Sequence, residues 1–248
     1  MNTNARLSDY RSRLLSLPAN RPLLKEDLLT DSFLLHRSGA FEVYYSPHNE
    51  YIEPMAKLVI MGLTPGWTQM KTAYEAAVQG LAQGLSNEDI CKKAKTAARF
   101  AGSMRRQLIA FLDELDLPAY IDVASSEELF QEEQKKLHTV SILRYPVFYR
   151  MRNYTGSSPQ LLSSAFLADW ARESIMQELE QLTEQPLIIP LGKAVESVLA
   201  SLVEAGRIAR ERVLWGFPHP SGANGHRKSQ FSQNKSSMSD MLRRYFKV

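Results

Sequence analysis

Two continuously apolar segments, each followed by a helical pattern, constrain the fold of this chain more than any other feature. They are residues 57–62 and 186–193, and each ends in a turn that contains glycine. Short runs of this kind, without polar interruption, are typical of strands that are buried on both faces. Strands buried on both faces usually pair in parallel beneath covering helices. The sequence therefore predicts an α/β fold with a parallel sheet.

Further strand and helix patterns continue this alternation. Strands are predicted at residues 119–123, 137–143 and 212–215, and helices at residues 70–83, from Ser86 onward, and at 102–115, 161–182 and 194–202. This order indicates a three-layer αβα architecture with a central, mostly parallel four-stranded sheet. A chain of 248 residues can bury one large core. We expect a single domain, 1–248, with residues 1–50 as an N-terminal extension packed on it.

The composition excludes several classes of protein. No segment approaches the roughly 20 apolar residues of a membrane span, and the first residues lack the apolar core of a signal peptide. We therefore expect a cytoplasmic protein without membrane contact. Cys91 is the only cysteine, which excludes an internal disulfide and multi-cysteine zinc or iron–sulfur sites. The five histidines show no ligand spacing, so neither a metal nor a cofactor is predicted.

Positive charge is concentrated at the end of the chain, although the formal net charge is only +3. After residue 206, nine basic residues face only two acidic ones, Glu211 and Asp240. A basic end on a nearly neutral chain suits a polyanionic partner on one face. The alternative, a solvated surface that happens to be basic, remains open on charge alone.

Two loops that follow predicted strands carry the candidate chemistry. One is Gly62-Leu63-Thr64-Pro65-Gly66, and the other, residues 217–227, contains His219 among prolines and small residues. Loops at strand ends of α/β domains commonly hold functional residues. Taken singly, a Gly-Pro turn after a strand and a histidine in a loop are both common in proteins, so neither indicates a function by itself. The first loop lacks the spacing of a dinucleotide fingerprint or a P-loop, so nucleoside triphosphate chemistry is not indicated.

Together, the G-x-x-P-G of the first loop and the H-P-S of the second resemble the two active-site motifs of the uracil-DNA glycosylase superfamily. Residues 99–108 look like the Phe-x-Gly segment of its bacterial branches, and residues 143–146 resemble the end of its base-reading strand. Residues 188–194 resemble its apolar strand ending in Leu-Gly. The similarity runs from about Leu58 to the C-terminus. The chain thus resembles a divergent bacterial member without iron–sulfur cysteines.

This resemblance implies hydrolysis of the bond between a flipped base and deoxyribose in DNA. His219 matches the donor that stabilises the departing base, and Phe100 matches the aromatic on which the base stacks. DNA, single- or double-stranded, is the implied partner, and no protein partner is inferred. The remaining implied base-binding residues are Gly62, Leu63, Pro65, Gly66, Ser141, Ser221 and Asn224. The implied phosphate-binding residues are Arg144, Arg227 and Lys228, with Ser221 and nearby backbone amides.

Departures from the family pattern leave two functions open. Thr64 stands where the family has a water-activating Asp or Asn, and Ser141 falls near the base-reading Asn. A hydroxyl cannot act as a carboxylate base at neutral pH. Asp122 could supply a carboxylate or simply cap a turn, and Asn153 with Tyr154 could read a base or form a plain turn. The sequence therefore predicts a glycosylase of narrow or altered specificity, or a catalytically inactive nucleic-acid or nucleobase binding module.

Overall fold

The computed structural model describes residues 6–100, 102–131 and 134–247. The helices are α1 (Leu7–Leu15), α2 (Lys25–Leu28), α3 (Trp67–Ala82), α4 (Asn87–Ala98), α5 (Ser103–Glu114), α6 (Leu117–Ile121), α7 (Ala165–Leu179), α8 (Lys193–Glu204) and α9 (Arg227–Phe246). The strands are β1 (Leu34–Ser38), β2 (Phe41–Tyr44), β3 (Leu58–Gly62), β4 (Leu137–Ser141), β5 (Val147–Tyr149), β6 (Arg152–Asn153) and β7 (Leu187–Pro190). The predicted α/β class is confirmed.

Two compact units make up the described chain, and each is assembled from separate stretches of sequence. The first unit comprises the described residues of Met1–Tyr51, Thr64–Arg99 and Leu143–Thr155, and the second those of Ile52–Leu63, Phe100–Ile142 and Gly156–Val248. The segment predicted as an N-terminal extension contributes α1, α2, β1 and β2 to the first unit.

A parallel sheet in the order β4-β3-β7 forms the centre of the second unit. Leu58 of β3 pairs with Leu137 of β4 and with Leu187 of β7. These side chains share one face of the sheet, and they belong to a core that includes apolar residues of α5, α6 and α9. On the other face, His138 of β4 contacts Glu178 of α7 through Nε2 and Oε1 at 2.7 Å. Helices therefore lie on both faces of this sheet.

The expectation of a four-stranded parallel sheet is wrong, because the described sheet has three strands. The predicted strand at residues 212–215 forms only one parallel bridge, between Val213 and Ile188. A 3-10 turn at Arg210–Arg212 precedes this bridge, and Gly216, with φ +86°, turns the chain immediately after it. The extended stretch between the two turns is too short to build a ladder of hydrogen bonds.

Residues 119–123 are also not a strand, because they lie in and just after α6. Asp116 adopts a left-handed conformation before the helix, and Pro118 lies in its first turn, a position that suits proline. Ile121 is buried in the core. Short apolar runs fit a strand or a buried helix equally well, so the pattern alone could not separate them. Asp122 is the C-cap residue of α6, with a fully exposed side chain.

Four predicted helices are confirmed within a few residues as α3, α4, α5 and α8. At the start of α4, the Ser86 hydroxyl accepts a hydrogen bond from the Asp89 amide at 3.1 Å and so caps the helix. The helix predicted at 161–182 is shorter than expected. Residues 161–163 form a separate 3-10 turn, and α7 begins only after Ser164, whose hydroxyl caps it. No helix in the described ranges combines the length and apolarity that crossing a bilayer requires.

The first unit contains an antiparallel sheet in the order β1-β2-β5-β6, which the sequence did not predict. The turn between β1 and β2 uses Gly39, with φ +56°. β2 pairs with β5 from a distant part of the chain, through Val43 opposite Val147. In the same unit, the rings of Tyr10 and Tyr45 stack with centroids 3.8 Å apart. Aromatic packing and long-range strand pairing therefore stabilise the N-terminal segment that was predicted as an extension.

Candidate functional site

The carboxyl ends of the three parallel strands form one edge of the sheet in the second unit, which we call the carboxyl edge. β3 ends at Gly62 and β4 at Ser141. The Ile142 amide donates to the Gly62 carbonyl at 2.9 Å, and the Leu191 amide donates to the Met61 carbonyl at 2.9 Å. The strands therefore end together, as parallel strands in α/β proteins do where they bind ligands.

His219 docks against this edge through Gly192, the residue after β7 and Leu191. The Gly192 amide donates to the Phe217 carbonyl at 3.2 Å. A Cβ atom at Gly192 would lie 3.0 Å from the Cβ atom of His219, and Gly192 has φ +85°. Only glycine combines this backbone conformation with so close an approach. The sequence contained this signal in the Leu-Gly that ends the apolar run, but Gly192 was not predicted as a site residue.

The imidazole of His219 has a defined hydrogen-bonding state. The Ser221 backbone amide donates to Nδ1 at 3.3 Å. Burial lowers the pKa of His219 below its usual value, which favours the neutral ring. A neutral imidazole that accepts at Nδ1 carries its proton on Nε2. His219 is therefore held as an Nε2–H donor without a positive charge.

Asn224 fastens the loop that carries His219. Its side-chain amide nitrogen donates to the His219 carbonyl at 3.1 Å and to Gln230 Oε1 at 2.9 Å. Its side-chain oxygen accepts from the His226 amide at 3.2 Å. Both polar ends of this side chain are engaged within the loop and the start of α9. The geometry thus gives Asn224 a positioning role, and its contact with a ligand stays a prediction.

Phe100 lies beside the ends of β3 and β4. Its Cε1 atom is 3.5 Å from the point that a Cβ on Gly62 would occupy, and the Ser141 hydroxyl is 3.7 Å from the same point. The structure thus brings Gly62, Phe100 and Ser141 together. Phe100 has φ +49°, an uncommon conformation for a bulky residue. Its side chain is 6% exposed, so the ring edge is nearly closed off in this conformation.

Three of the four predicted phosphate-binding residues lie in or just before the start of α9. Arg227 and Lys228 are the first two residues of this helix, and Ser221 lies a few residues earlier in the same loop. Arg227 Nη1 donates to the Asn224 carbonyl at 3.0 Å. The Nε of Arg227 is buried, with no hydrogen-bond partner among the described residues. Helix N-termini favour anions, so the basic residues here suit a phosphate. Gly222 and Ala223, in the same loop, are exposed.

Leu63 lies at the boundary of the G-x-x-P-G motif and packs within the second unit. A Cβ on Gly156 would meet Leu63 Cδ2 at 2.9 Å, and Gly156 has φ +78°. Leu63 therefore packs so closely against Gly156 that a side chain at residue 156 would clash with it. The next three residues of the motif, Thr64, Pro65 and Gly66, belong to the first unit.

Thr64 is engaged in the first unit by the segment that leads into β5. Its hydroxyl donates to the Tyr145 carbonyl at 3.0 Å and accepts from the Val147 amide at 2.9 Å. A hydroxyl has one donor, so the Thr64 proton is committed to this turn. These two hydrogen bonds explain why a threonine suits this position, and they involve no reacting water.

Asn153 and Gly66 meet at the start of α3, also in the first unit. The Trp67 amide donates to Asn153 Oδ1 at 3.0 Å. A Cβ on Gly66 would lie 3.4 Å from Asn153 Nδ2. Asn153 thus caps α3 from a distant strand and uses its oxygen to do so. Tyr154 is 3% exposed and meets the Phe41 ring edge-on, with centroids 5.3 Å apart, so its ring is a core group of this unit.

Arg144 lies in a buried polar cluster of the first unit. Its carbonyl accepts from the Asn49 side chain at 2.7 Å. Burial raises the pKa of Glu50, and the charge of Arg144 opposes that rise. Tyr45 donates a very short hydrogen bond to Glu50. The Arg144 guanidinium therefore acts on an interior carboxyl group, which is a structural alternative to the implied phosphate contact.

Among residues 6–100, 102–131 and 134–247, no group of three or more His, Cys, Asp and Glu side chains is placed to hold a metal ion. Cys91 is buried, and burial raises the pKa of its thiol. A thiol in such surroundings is a poor nucleophile.

Comparison with known proteins places the chain in a family. No protein-family model matches it. Over 239 residues it is 45% identical to the uncharacterized protein YoxB of Bacillus subtilis strain 168, and the match covers 96% of this chain and 93% of YoxB. The chain belongs to the YoxB family. Because the match covers nearly all of both proteins, it includes both units and the His219 loop.

Proposed function

We propose that this member of the YoxB family is a DNA glycosylase-like hydrolase, which cleaves the base–deoxyribose bond of a flipped, damaged base with narrow or altered specificity. The observation that carries the proposal is the fixed Nε2–H tautomer of His219 at the carboxyl edge of the sheet. The resemblance of residues 58–248 to the uracil-DNA glycosylase superfamily, a three-layer αβα group, supports the same assignment. Helices on both faces of the parallel sheet are consistent with it.

In the proposed reaction, the bond between C1′ and the base nitrogen breaks and its electron pair leaves with the base. Water bonds to C1′ and loses a proton to solvent, and the released base anion takes up a proton from solvent, so the products are an abasic sugar and the free base. Negative charge grows on a base oxygen as the bond breaks. A hydrogen bond from His219 Nε2–H stabilises that charge without transferring a proton. A neutral donor is suitable because it remains protonated after the base has left.

Two further groups support binding of the flipped nucleotide. Phe100, beside Gly62 and Ser141, is the stacking platform, and a small movement of this nearly closed ring edge would admit a base. The start of α9, with Ser221, Arg227 and Lys228, is the proposed phosphate site. Ser141 offers one hydroxyl instead of a bidentate amide, so base recognition by this residue is less selective.

A second candidate function is a catalytically inactive module that binds nucleic acid or a nucleobase. The observation that favours it is the Thr64 hydroxyl, whose donor is held by the Tyr145 carbonyl. A residue used in this way provides no base for water. In this alternative, His219 and the start of α9 recognise a base and a phosphate but no bond is broken.

The two candidates are separated by single-turnover release of uracil, hypoxanthine and xanthine from single- and double-stranded DNA. Release of any base by the wild-type protein supports the hydrolase. Release only by Thr64→Asp, together with salt-dependent DNA binding by the wild type, supports the binding module. If the wild type neither releases a base nor binds DNA or a free nucleobase at low salt, both candidates are contradicted.

A further inference from the structure

A second concave site lies in the second unit, away from the carboxyl edge. It is a groove of about 800 Å³, a volume that suits a ligand of nucleotide size. We call it the Trp215 groove. The residues that define its chemistry are Arg210, Arg212, Trp215, Arg244, Tyr245 and Lys247.

Arg212 and Tyr245 of the Trp215 groove lie near the amino end of β7, whereas His219 lies near its carboxyl end. Arg212 Nε donates to the Pro186 carbonyl at 3.4 Å, and the Tyr245 hydroxyl donates to the Gln185 carbonyl at 2.6 Å. Both acceptors immediately precede β7, whose other end leads to Gly192. α9 runs from the His219 loop to Tyr245, and its 20 residues correspond to about 30 Å. The groove is therefore separate from the proposed hydrolytic site.

An aromatic surface in the groove is held in a fixed orientation. The Trp215 indole Nε1 donates to the Arg210 carbonyl at 3.0 Å. The Arg210 guanidinium lies 5.0 Å from the centre of the Trp215 ring, within the range of a cation–π contact. Trp215 is only partly buried. A partly exposed indole with its N–H already bonded offers its face for stacking.

The positive charge in the groove is not balanced by its own lining. Four cationic side chains line it, whereas Glu211 is the one carboxylate in the lining. Arg212 is half-buried, and within the described ranges its guanidinium forms no ion pair with a carboxylate. Desolvated cations are normally paired, because burial without a counter-charge is costly. An anionic ligand would supply the missing partner, and a guanidinium suits phosphate in particular.

We propose that the Trp215 groove binds a nucleotide, with the base stacked on Trp215 and the phosphate bound by Arg212 and Arg244. Base stacking combined with cationic contacts is how proteins bind nucleotides without reading their sequence. The nucleotide is either free or part of a nucleic-acid strand, because both present the same base and phosphate. The proposal does not depend on glycosylase activity.

The experiment is titration of the full-length protein with AMP, ATP and an oligothymidylate, using calorimetry at low salt. Binding that weakens at least about fivefold in Trp215→Leu and in Arg244→Gln is expected, from the usual contribution of one stacked base or one phosphate contact. Arg207→Gln, which removes an exposed arginine outside the groove, is the matched control and retains wild-type affinity. Tighter binding of AMP or ATP than of the oligonucleotide identifies a free nucleotide as the ligand, and the reverse identifies a strand.

Three results overturn the proposal. One is no binding of any probe below about 1 mM. Another is binding that both groove variants leave unchanged. The third is inorganic pyrophosphate binding as tightly as ATP, which would show a plain anion site without a stacked base. Arg244 lies on the exposed surface of α9, so its variant remains informative if Trp215→Leu does not fold.

Discussion

The Ser221 backbone amide lies 3.3 Å from Nδ1 of His219 and donates to it. This one contact decides which nitrogen of the ring carries the proton, because a neutral imidazole that accepts at Nδ1 must donate from Nε2. Asn224 holds the same loop through the His219 carbonyl. The donor direction of His219 is thus set by its own loop, before any ligand arrives.

Gly192→Ala is expected to destabilise the protein and to displace His219. The new methyl group would lie 3.0 Å from the His219 Cβ, at a residue with φ +85°. Strain of this kind costs about 1–3 kcal/mol. Urea unfolding measures the loss. Gly206→Ala is the control, because Gly206 has φ +69° but open space around it. Equal losses in the two variants would show that the contact with His219 carries no energy.

Thr64→Val is expected to lower the free energy of unfolding by about 1–3 kcal/mol, because it removes the hydroxyl that hydrogen-bonds two backbone groups. These groups are the Tyr145 carbonyl and the Val147 amide. Thr64→Ser keeps the hydroxyl and should remain close to the wild type. Denaturant titration of the three proteins tests the assignment. A Thr64→Val protein as stable as Thr64→Ser would refute the structural role of this hydroxyl.

Acid is expected to destabilise the protein through His48. Burial lowers the pKa of His48 to about 3, and Ser46 bonds its Nδ1 at 2.9 Å. The unfolded chain takes up a proton at this residue below its usual pKa of about 6.5, whereas the folded chain does not. Stability is therefore present above pH 6.5 and falls as the pH decreases, by about 2 kcal/mol at pH 5.

The measurement for His48 is the free energy of unfolding between pH 7 and pH 5. His48→Gln should lose most of this pH dependence, whereas His226→Gln, at an exposed position in another loop, should keep it. If the wild type and His48→Gln show the same slope, the buried neutral state of His48 is wrong.

The sequence predicted the helices and strands that have a clear local pattern. It did not predict those that form because distant segments pack together. β3, β7 and α8 follow from apolar runs and helical periodicity. α9 was missed because its surface is polar, although its buried residues, Phe231, Met238 and Leu242, recur at helical spacing. The pairing of β2 with β5 joins segments about a hundred positions apart in the chain, and no local pattern reports such a contact.

The candidate site was predictable in part, for similar reasons. The motif residues Gly62 and His219 were identified from the sequence, and both lie at the carboxyl edge. The roles of Asn224 and Thr64 could not be inferred, because the direction of a side chain depends on its packed neighbours. Both side chains are engaged by backbone groups and neighbouring residues.

The central claim is that His219 stabilises the departing base, and single-turnover base release from DNA that contains uracil, hypoxanthine or xanthine tests it most directly. Wild type and His219→Ala are compared at pH 7, with His226→Ala, an exposed histidine of the same loop, as the control. The account predicts release by the wild type and by His226→Ala, and a loss of about 10²- to 10³-fold in His219→Ala, as for other single donors to a developing charge. Release at the wild-type rate by His219→Ala would contradict it.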